Sequence, residues 1–164
     1  MKKIVCSLLL ISGFCFATMT LSAQDYKTAV GIRLSNSAPM VNNSLTLKHF
    51  LNEKTAIEAL FSFGEPSLAL GGLVEVHKPL STPGLQWFYG GGAYLGFVKT
   101  FNPNKNINET NTNFGGQGVV GLDYKFVNLP LNISLDWKPE LNLVSDINFE
   151  PAAIGFTARF VFGK

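Results

Sequence analysis

The chain has 164 residues, of which 46% are hydrophobic and 15% are charged, and it is rich in glycine and phenylalanine. This length suits a single domain. The formal net charge of only +2 excludes the strongly basic surface that nucleic-acid binding requires, so we expect no nucleic-acid partner.

The first segment has the pattern of a secretory signal peptide. Lys2 and Lys3 precede an apolar run, and small residues close the segment at Ala23. We therefore predict a cleaved signal peptide over residues 1–23 and one mature domain over residues 24–164. An uncleaved anchor is the alternative, but the apolar run is short for a membrane span and is interrupted by serine and glycine.

Cleavage at this point would change the chemistry of the chain. Both cysteines, Cys6 and Cys15, lie in the predicted signal peptide, so the exported protein would have neither a disulfide nor a thiolate. Lys2 and Lys3 account for the whole excess of positive charge, which leaves the mature chain close to neutral.

Eight segments alternate between apolar and polar residues with the period of two that predicts β-strands with two different environments. In chain order they are residues 27–34, 44–51, 55–63, 68–78, 86–97, 114–126, 131–138 and 153–162. In the last one, Phe160 and Phe162 share a face, whereas Thr157 and Arg159 lie on the other. An apolar exported chain without a membrane helix is typical of an outer-membrane barrel, because only a closed sheet can then satisfy the backbone in lipid.

The predicted connections alternate in length. Residues 52–54, 79–84 and 128–130 form short turns, residues 35–43, 99–113 and 140–150 form longer polar loops, and residues 64–67 are a short exception. Outer-membrane barrels have short periplasmic turns and long outer loops, so we expect both termini on the periplasmic side. The asparagine-rich segment 99–113 is predicted to be a mobile loop, since it is poorly able to bury itself.

One strand register can be predicted from charge. A three-residue turn after Leu51 places Lys48 directly opposite Glu58 on the polar face, where the opposite charges attract. A slip of one residue would instead place Lys48 opposite Ile57.

The direction of the apolar face decides between a transmembrane barrel and a soluble, lipocalin-like barrel. Small residues on the polar face, aromatic residues near strand ends and balanced inner charges favour an apolar outside. The predicted aromatic girdle is Trp87, Tyr89, Phe97, Tyr124, Phe126, Trp137, Phe160 and Phe162. The predicted structural charge network of the lumen is Arg33, Lys48, Glu58, Glu75, Asp123, Lys125, Asp136, Lys138 and Arg159. The sequence thus predicts an all-β fold, an eight-stranded antiparallel up-and-down transmembrane β-barrel. This outer-membrane β-barrel domain is predicted over residues 24–164, after the signal peptide.

Several stretches resemble a known family. They are Gly121-Leu122-Asp123-Tyr124-Lys125-Phe126, the run from Leu129 to Pro139, and the phenylalanine-rich last strand. The chain resembles small outer-membrane β-barrel proteins common in Bacteroidota, and it is similar in architecture to OmpA/OmpX-type eight-stranded barrels. The resemblance implies contact with outer-membrane lipid and recognition by the barrel-assembly machinery through the terminal strand. The terminal strand that this machinery recognises normally ends on an aromatic residue, whereas Gly163 and Lys164 follow Phe162 here.

Enzymatic and metal-binding roles find little support in the sequence. His49 and His77 are expected on opposite faces, and His77 with Glu75 on one strand does not make a triad. We therefore predict no catalytic residue, no metal site and no cofactor.

Three classes of function remain. We expect a non-enzymatic barrel with a side-chain-plugged lumen and outward loops for structural or interaction roles, because eight strands enclose only enough room for side chains. A narrow passive pore or a barrel that binds a hydrophobic ligand is the alternative, and a lipid-modifying outer-membrane enzyme is less favoured. The sequence names no extracellular partner.

Overall fold

The computed structural model describes residues 26–36, 41–64, 67–102, 106–144, 147–151 and 153–163. The predicted signal peptide, residues 1–23, lies outside the described residues and stays a prediction. Within the described ranges, no helix is long and apolar enough to cross a membrane.

The described chain is built of antiparallel strands. They are β1 (Thr28–Ser35), β2 (Ser44–Phe50), β3 (Thr55–Gly64), β4 (Ser67–Pro79), β5 (Leu85–Asn102), β6 (Ile107–Lys125), β7 (Leu131–Trp137), β8 (Glu140–Asn142), β9 (Asn148–Glu150) and β10 (Ile154–Phe162). Consecutive strands pair from β1 to β7, β7 pairs with β10, and β10 pairs with β1, which closes the sheet. The prediction of an eight-stranded antiparallel all-β barrel is therefore confirmed.

The two short strands β8 and β9 prolong barrel strands and do not add to their number. Leu141 of β8 pairs with Gly116 of β6, in the same register that β7 keeps with β6. Pro139 separates β7 from β8 because it has no N–H to donate, but its carbonyl still accepts a hydrogen bond from the Gly118 amide at 3.0 Å. The prediction of a loop over residues 140–150 is wrong, since its described residues include β8 and β9, which pair with each other as a hairpin.

The prediction of a loop over residues 99–113 is also wrong for its described residues, 99–102 and 106–113. The β5 and β6 strands continue beyond the barrel wall until Asn102 pairs with Ile107. The asparagine and threonine composition indicated a loop, but both faces of a strand can be polar where both meet water. Pairing propagates from the barrel wall into this segment because each added residue extends an existing ladder.

The register predicted from charge is confirmed. Lys48 pairs with Glu58 across β2 and β3, and the Leu51 amide donates to the Thr55 carbonyl at 2.8 Å, which closes the turn.

The apolar face points outward. Ile32 and Leu135 expose 52% and 54% of their surface, whereas Lys48 and Arg159 expose 0% and 1%. This distribution reverses that of a soluble barrel, which places its apolar face inside.

Inward-facing glycines occur where neighbouring strands approach closely. A Cβ atom on Gly92 would lie 1.8 Å from the carbonyl oxygen of Gly72, and one on Gly31 would lie 2.0 Å from that of Ala158. Gly72 faces outward, and a Cβ atom there would meet no other atom within 4 Å. The inner glycines therefore permit the tight curvature of a narrow barrel.

Candidate functional site

Aromatic side chains fill the barrel at the end that carries the short turns. The Phe50 ring lies 5.2 Å from the Tyr26 ring and 4.8 Å from the His77 ring, measured between centroids. His77 also stacks on Phe88 at 5.1 Å. All four side chains are buried, so this layer closes the short-turn end of the barrel.

Next to this layer, a buried lysine faces three carboxylates from three strands. The Lys48 ammonium lies 2.7 Å from Glu75, 3.7 Å from Asp123 and 3.8 Å from Glu58. It also lies 4.5 Å from the centroid of the Phe88 ring. The four charged side chains are almost fully buried, and each charge is compensated only if the others hold their positions.

Arg159 of β10 is the second cation of this central cluster. Its guanidinium donates hydrogen bonds to Glu58, to Ser134 at 2.9 Å and to Asn132 at 3.2 Å. Its Nε atom lies 3.3 Å from the Thr46 hydroxyl, which itself donates to Glu58. Arg159 thus joins side chains from β2, β3, β7 and β10, and the planar guanidinium suits this many acceptors.

Ion pairs also fill the barrel nearer the loop end. Arg33 makes a forked contact with Asp136, with Nη2 at 2.5 Å and Nε at 3.2 Å from Oδ1. The Lys138 ammonium lies 2.5 Å from Glu140 and 3.2 Å from the Gln117 amide oxygen. All of these side chains are buried.

An apolar cluster completes the interior on this side. Val41, from the connection between β1 and β2, packs in a buried cluster that includes Leu60, Leu73, Tyr94 and Val119. The Ser62 side chain holds the connection in place, since its hydroxyl accepts a hydrogen bond from the Asn42 amide at 3.1 Å.

Eight of the nine residues predicted for the charge network lie in these two groups of ion pairs: Arg33, Lys48, Glu58, Glu75, Asp123, Asp136, Lys138 and Arg159. The structure places Lys125 apart from them, half-buried at the short-turn end. Its ammonium donates to the carbonyls of Phe126 and, at 3.0 Å, of Leu129.

Sequence reasoning missed Glu140 and Gln117. Glu140 falls in the predicted polar loop over residues 140–150, although the alternation of Asp136 and Lys138 continues to this position. Gln117 lies on the inner face of β6, where its amide could be expected to bond to a charge.

Six of the eight predicted girdle residues lie near the short-turn end, in three pairs. Ring centroids are 5.2 Å apart in Trp87–Tyr89 and 4.9 Å apart in both Tyr124–Phe126 and Phe160–Phe162. The Lys78 ammonium lies 5.2 Å from the Trp87 ring. The other two lie apart from this end: Phe97 pairs with Leu68 in the loop half of the barrel, and Trp137 ends β7 and donates from Nε1 to the Pro151 carbonyl.

The histidines offer little catalytic chemistry. His77 is buried with Nε2 3.0 Å from Glu75, and its ring stacks on Phe88 and contacts Phe50. His49 is half-buried on the outer face, where its Nδ1 lies 2.9 Å from the Thr28 hydroxyl. Within the described part of the chain, no group of three or more His, Cys, Asp or Glu residues could hold a metal ion.

No family model and no curated protein matches this sequence. Solved structures do match the fold. The N-terminal β-barrel domain of Pseudomonas aeruginosa OprF is 11% identical, with a TM-score of 0.66 over 84% of this chain and 98% of that one. Neisserial surface protein A (NspA) is 9% identical, with a TM-score of 0.51 over 83% of this chain and 95% of that one. At these identities the likeness establishes the barrel fold alone.

Proposed function

We propose that this protein is an integral outer-membrane β-barrel with a lumen plugged by its own side chains, and that it acts without enzymatic activity through its outer loops. The observation that carries the proposal is the inverted distribution of polarity. Large apolar residues cover the outside of every barrel strand, while paired charges fill the inside. A barrel in lipid has this pattern, because each outward residue meets acyl chains.

The proposed orientation follows from the connections. The short turns between β2 and β3, β4 and β5, and β6 and β7 share one end with the start of β1 and the end of β10. We place this end in the periplasm, as in other outer-membrane barrels. Removal of residues 1–23 by signal peptidase is part of the proposal, and the intact mass of the exported protein tests it.

The plugged lumen is supported by the buried side chains that fill the barrel interior. They are the aromatic layer, the central charge cluster, the further ion pairs and the apolar cluster, which shares Phe88 with the aromatic layer. A pore for solutes would have to break several of these contacts at once. A cavity for a hydrophobic ligand is disfavoured because the inner face carries charged groups whose pairing an apolar ligand could not replace.

Conductance in a planar bilayer tests the plug. We expect the purified mature protein to insert without producing a stable open channel. Lys48→Ala with Arg159→Ala serves as the matched control, since removal of both central cations should raise conductance if the cluster obstructs the lumen. A reproducible open channel from the unaltered protein would favour the narrow pore instead.

A further inference from the structure

The hairpin formed by β8 and β9 carries an apolar outer face. Leu141 pairs with Phe149, and both side chains are exposed. The hairpin tip adds Leu143, Val144 and Ile147, of which Ile147 exposes 82% of its surface. Such a cluster is unusual on a segment surrounded by water.

This hairpin reaches the upper edge of the apolar belt. On the outer face, the number of residues from Leu131 to Leu141 is the same as the number from Trp87 to Phe97 on β5. At roughly 3.3 Å per residue and a strand tilt of about 40°, each interval spans about 25 Å along the barrel axis, the usual height of the apolar band. Leu141 also pairs with outward-facing Gly116, which pairs with Ala93 of the belt.

The neighbouring hairpin is different at this level. Above Phe97, the β5–β6 hairpin exposes Lys99 and Thr110 on its outer face. The β7 strand proper ends at Trp137, only about 15 Å above Leu131 by the same geometry. The β8–β9 hairpin therefore supplies the part of the belt that β7 and β10 leave uncovered.

We propose that the β8–β9 hairpin is embedded in the outer leaflet of the membrane, with lipid acyl chains as its partner. Leu141 and Phe149 contact the chains, and Leu143, Val144 and Ile147 lie at the boundary between chains and headgroups. The inference rests on the proposed outer-membrane location. The apolar face of the hairpin continues the belt without a break, so it meets the same lipid as the belt does.

Site-directed fluorescence quenching tests the inference. The predicted mature chain has no cysteine, so Phe149→Cys and Thr110→Cys can each carry a single environment-sensitive NBD label. Leu135→Cys reports on the middle of the belt. In phosphatidylcholine vesicles containing chain-brominated lipid, we expect at least twofold quenching at positions 149 and 135 and little change at position 110.

The outcomes separate the two proposals. Quenching at position 135 without quenching at position 149 would overturn the inference and leave the membrane barrel intact. Absence of quenching at position 135 would overturn both. Concentration-dependent self-quenching at position 149, without an effect of brominated lipid, would replace lipid by a second copy of the chain and would also overturn the inference.

Discussion

Replacing Arg159 with methionine is the sharpest test of the central charge cluster. Arg159 and Lys48 are the two cations that face Glu58, Glu75 and Asp123. The Arg159→Met variant leaves three buried carboxylates beside one ammonium and removes the bonds to Asn132, Ser134 and Thr46. Breaking a buried ion pair on one side costs about 3–5 kcal/mol. This is a large share of the roughly 5–15 kcal/mol that stabilises a small domain.

The assay is reversible urea unfolding of the mature protein in detergent micelles, followed by the fluorescence of Trp87 and Trp137. We expect Arg159→Met to lower the free energy of unfolding by about 3–5 kcal/mol. Arg159→Lys should recover part of the loss, since it keeps the charge without the planar fork. Adding Glu58→Gln to Arg159→Met should cost less than the sum of the two single changes, because the pair is coupled. A loss below about 0.5 kcal/mol, with additive behaviour in the double variant, would refute the reasoning.

Three further changes test the barrel wall. Leu135→Arg should cost about 2–4 kcal/mol in lipid vesicles if this position faces the bilayer midplane, and equal stability of the variant would argue against a lipid-facing belt. Gly92→Ala should cost about 1–3 kcal/mol because its Cβ would meet a backbone carbonyl, whereas Gly72→Ala, with open space around it, should change stability by less than about 0.5 kcal/mol. Phe160→Ser together with Phe162→Ser should reduce heat-modifiable, membrane-inserted protein in cells if the terminal strand is read by the assembly machinery, and normal insertion would contradict this role.

The barrel could be predicted because its two faces differ so strongly. Period-two alternation fixes which residues point inward, so the burial of Lys48 and Arg159 follows from the sequence alone. The partners of the inner charges could not be predicted in the same way. Arg159 of β10 reaches Glu58 of β3 across two intervening strands, and that contact depends on barrel diameter and strand tilt.

The errors at the loop end have a different cause. Composition indicated loops where residues such as Asn108 and Asn142 lie in strands. Polarity predicts exposure to water, but a strand that continues beyond the barrel wall can keep its hydrogen bonds to the neighbouring strand. The strand length is therefore set by the neighbouring ladder, which no local pattern reveals.

The seam between β1 and β10 leads to one more prediction. These strands close the barrel, but no turn joins them, so a turn cannot fix their register. Alternation forbids a slip of one residue, because it would move the inner charges to the apolar outer face. A slip of two residues keeps every side chain on its proper face. We infer that Arg33 prevents this slip, since its pair with Asp136 spans β10 and holds β1 in line with β7.

Cysteine cross-linking can test this seam register. Ile32 pairs with Ala158 on the outer face, and a slip of two residues would bring Ile32 opposite Phe156 or Phe160. In the parent protein, oxidation should link Ile32→Cys to Ala158→Cys and only weakly to Phe156→Cys or Phe160→Cys. Replacing Arg33 with methionine and Asp136 with asparagine should raise one of the two slipped cross-links severalfold. If both slipped cross-links stay as weak in that variant as in the parent protein, backbone pairing and packing alone set the register, and the ion pair is not needed to specify it.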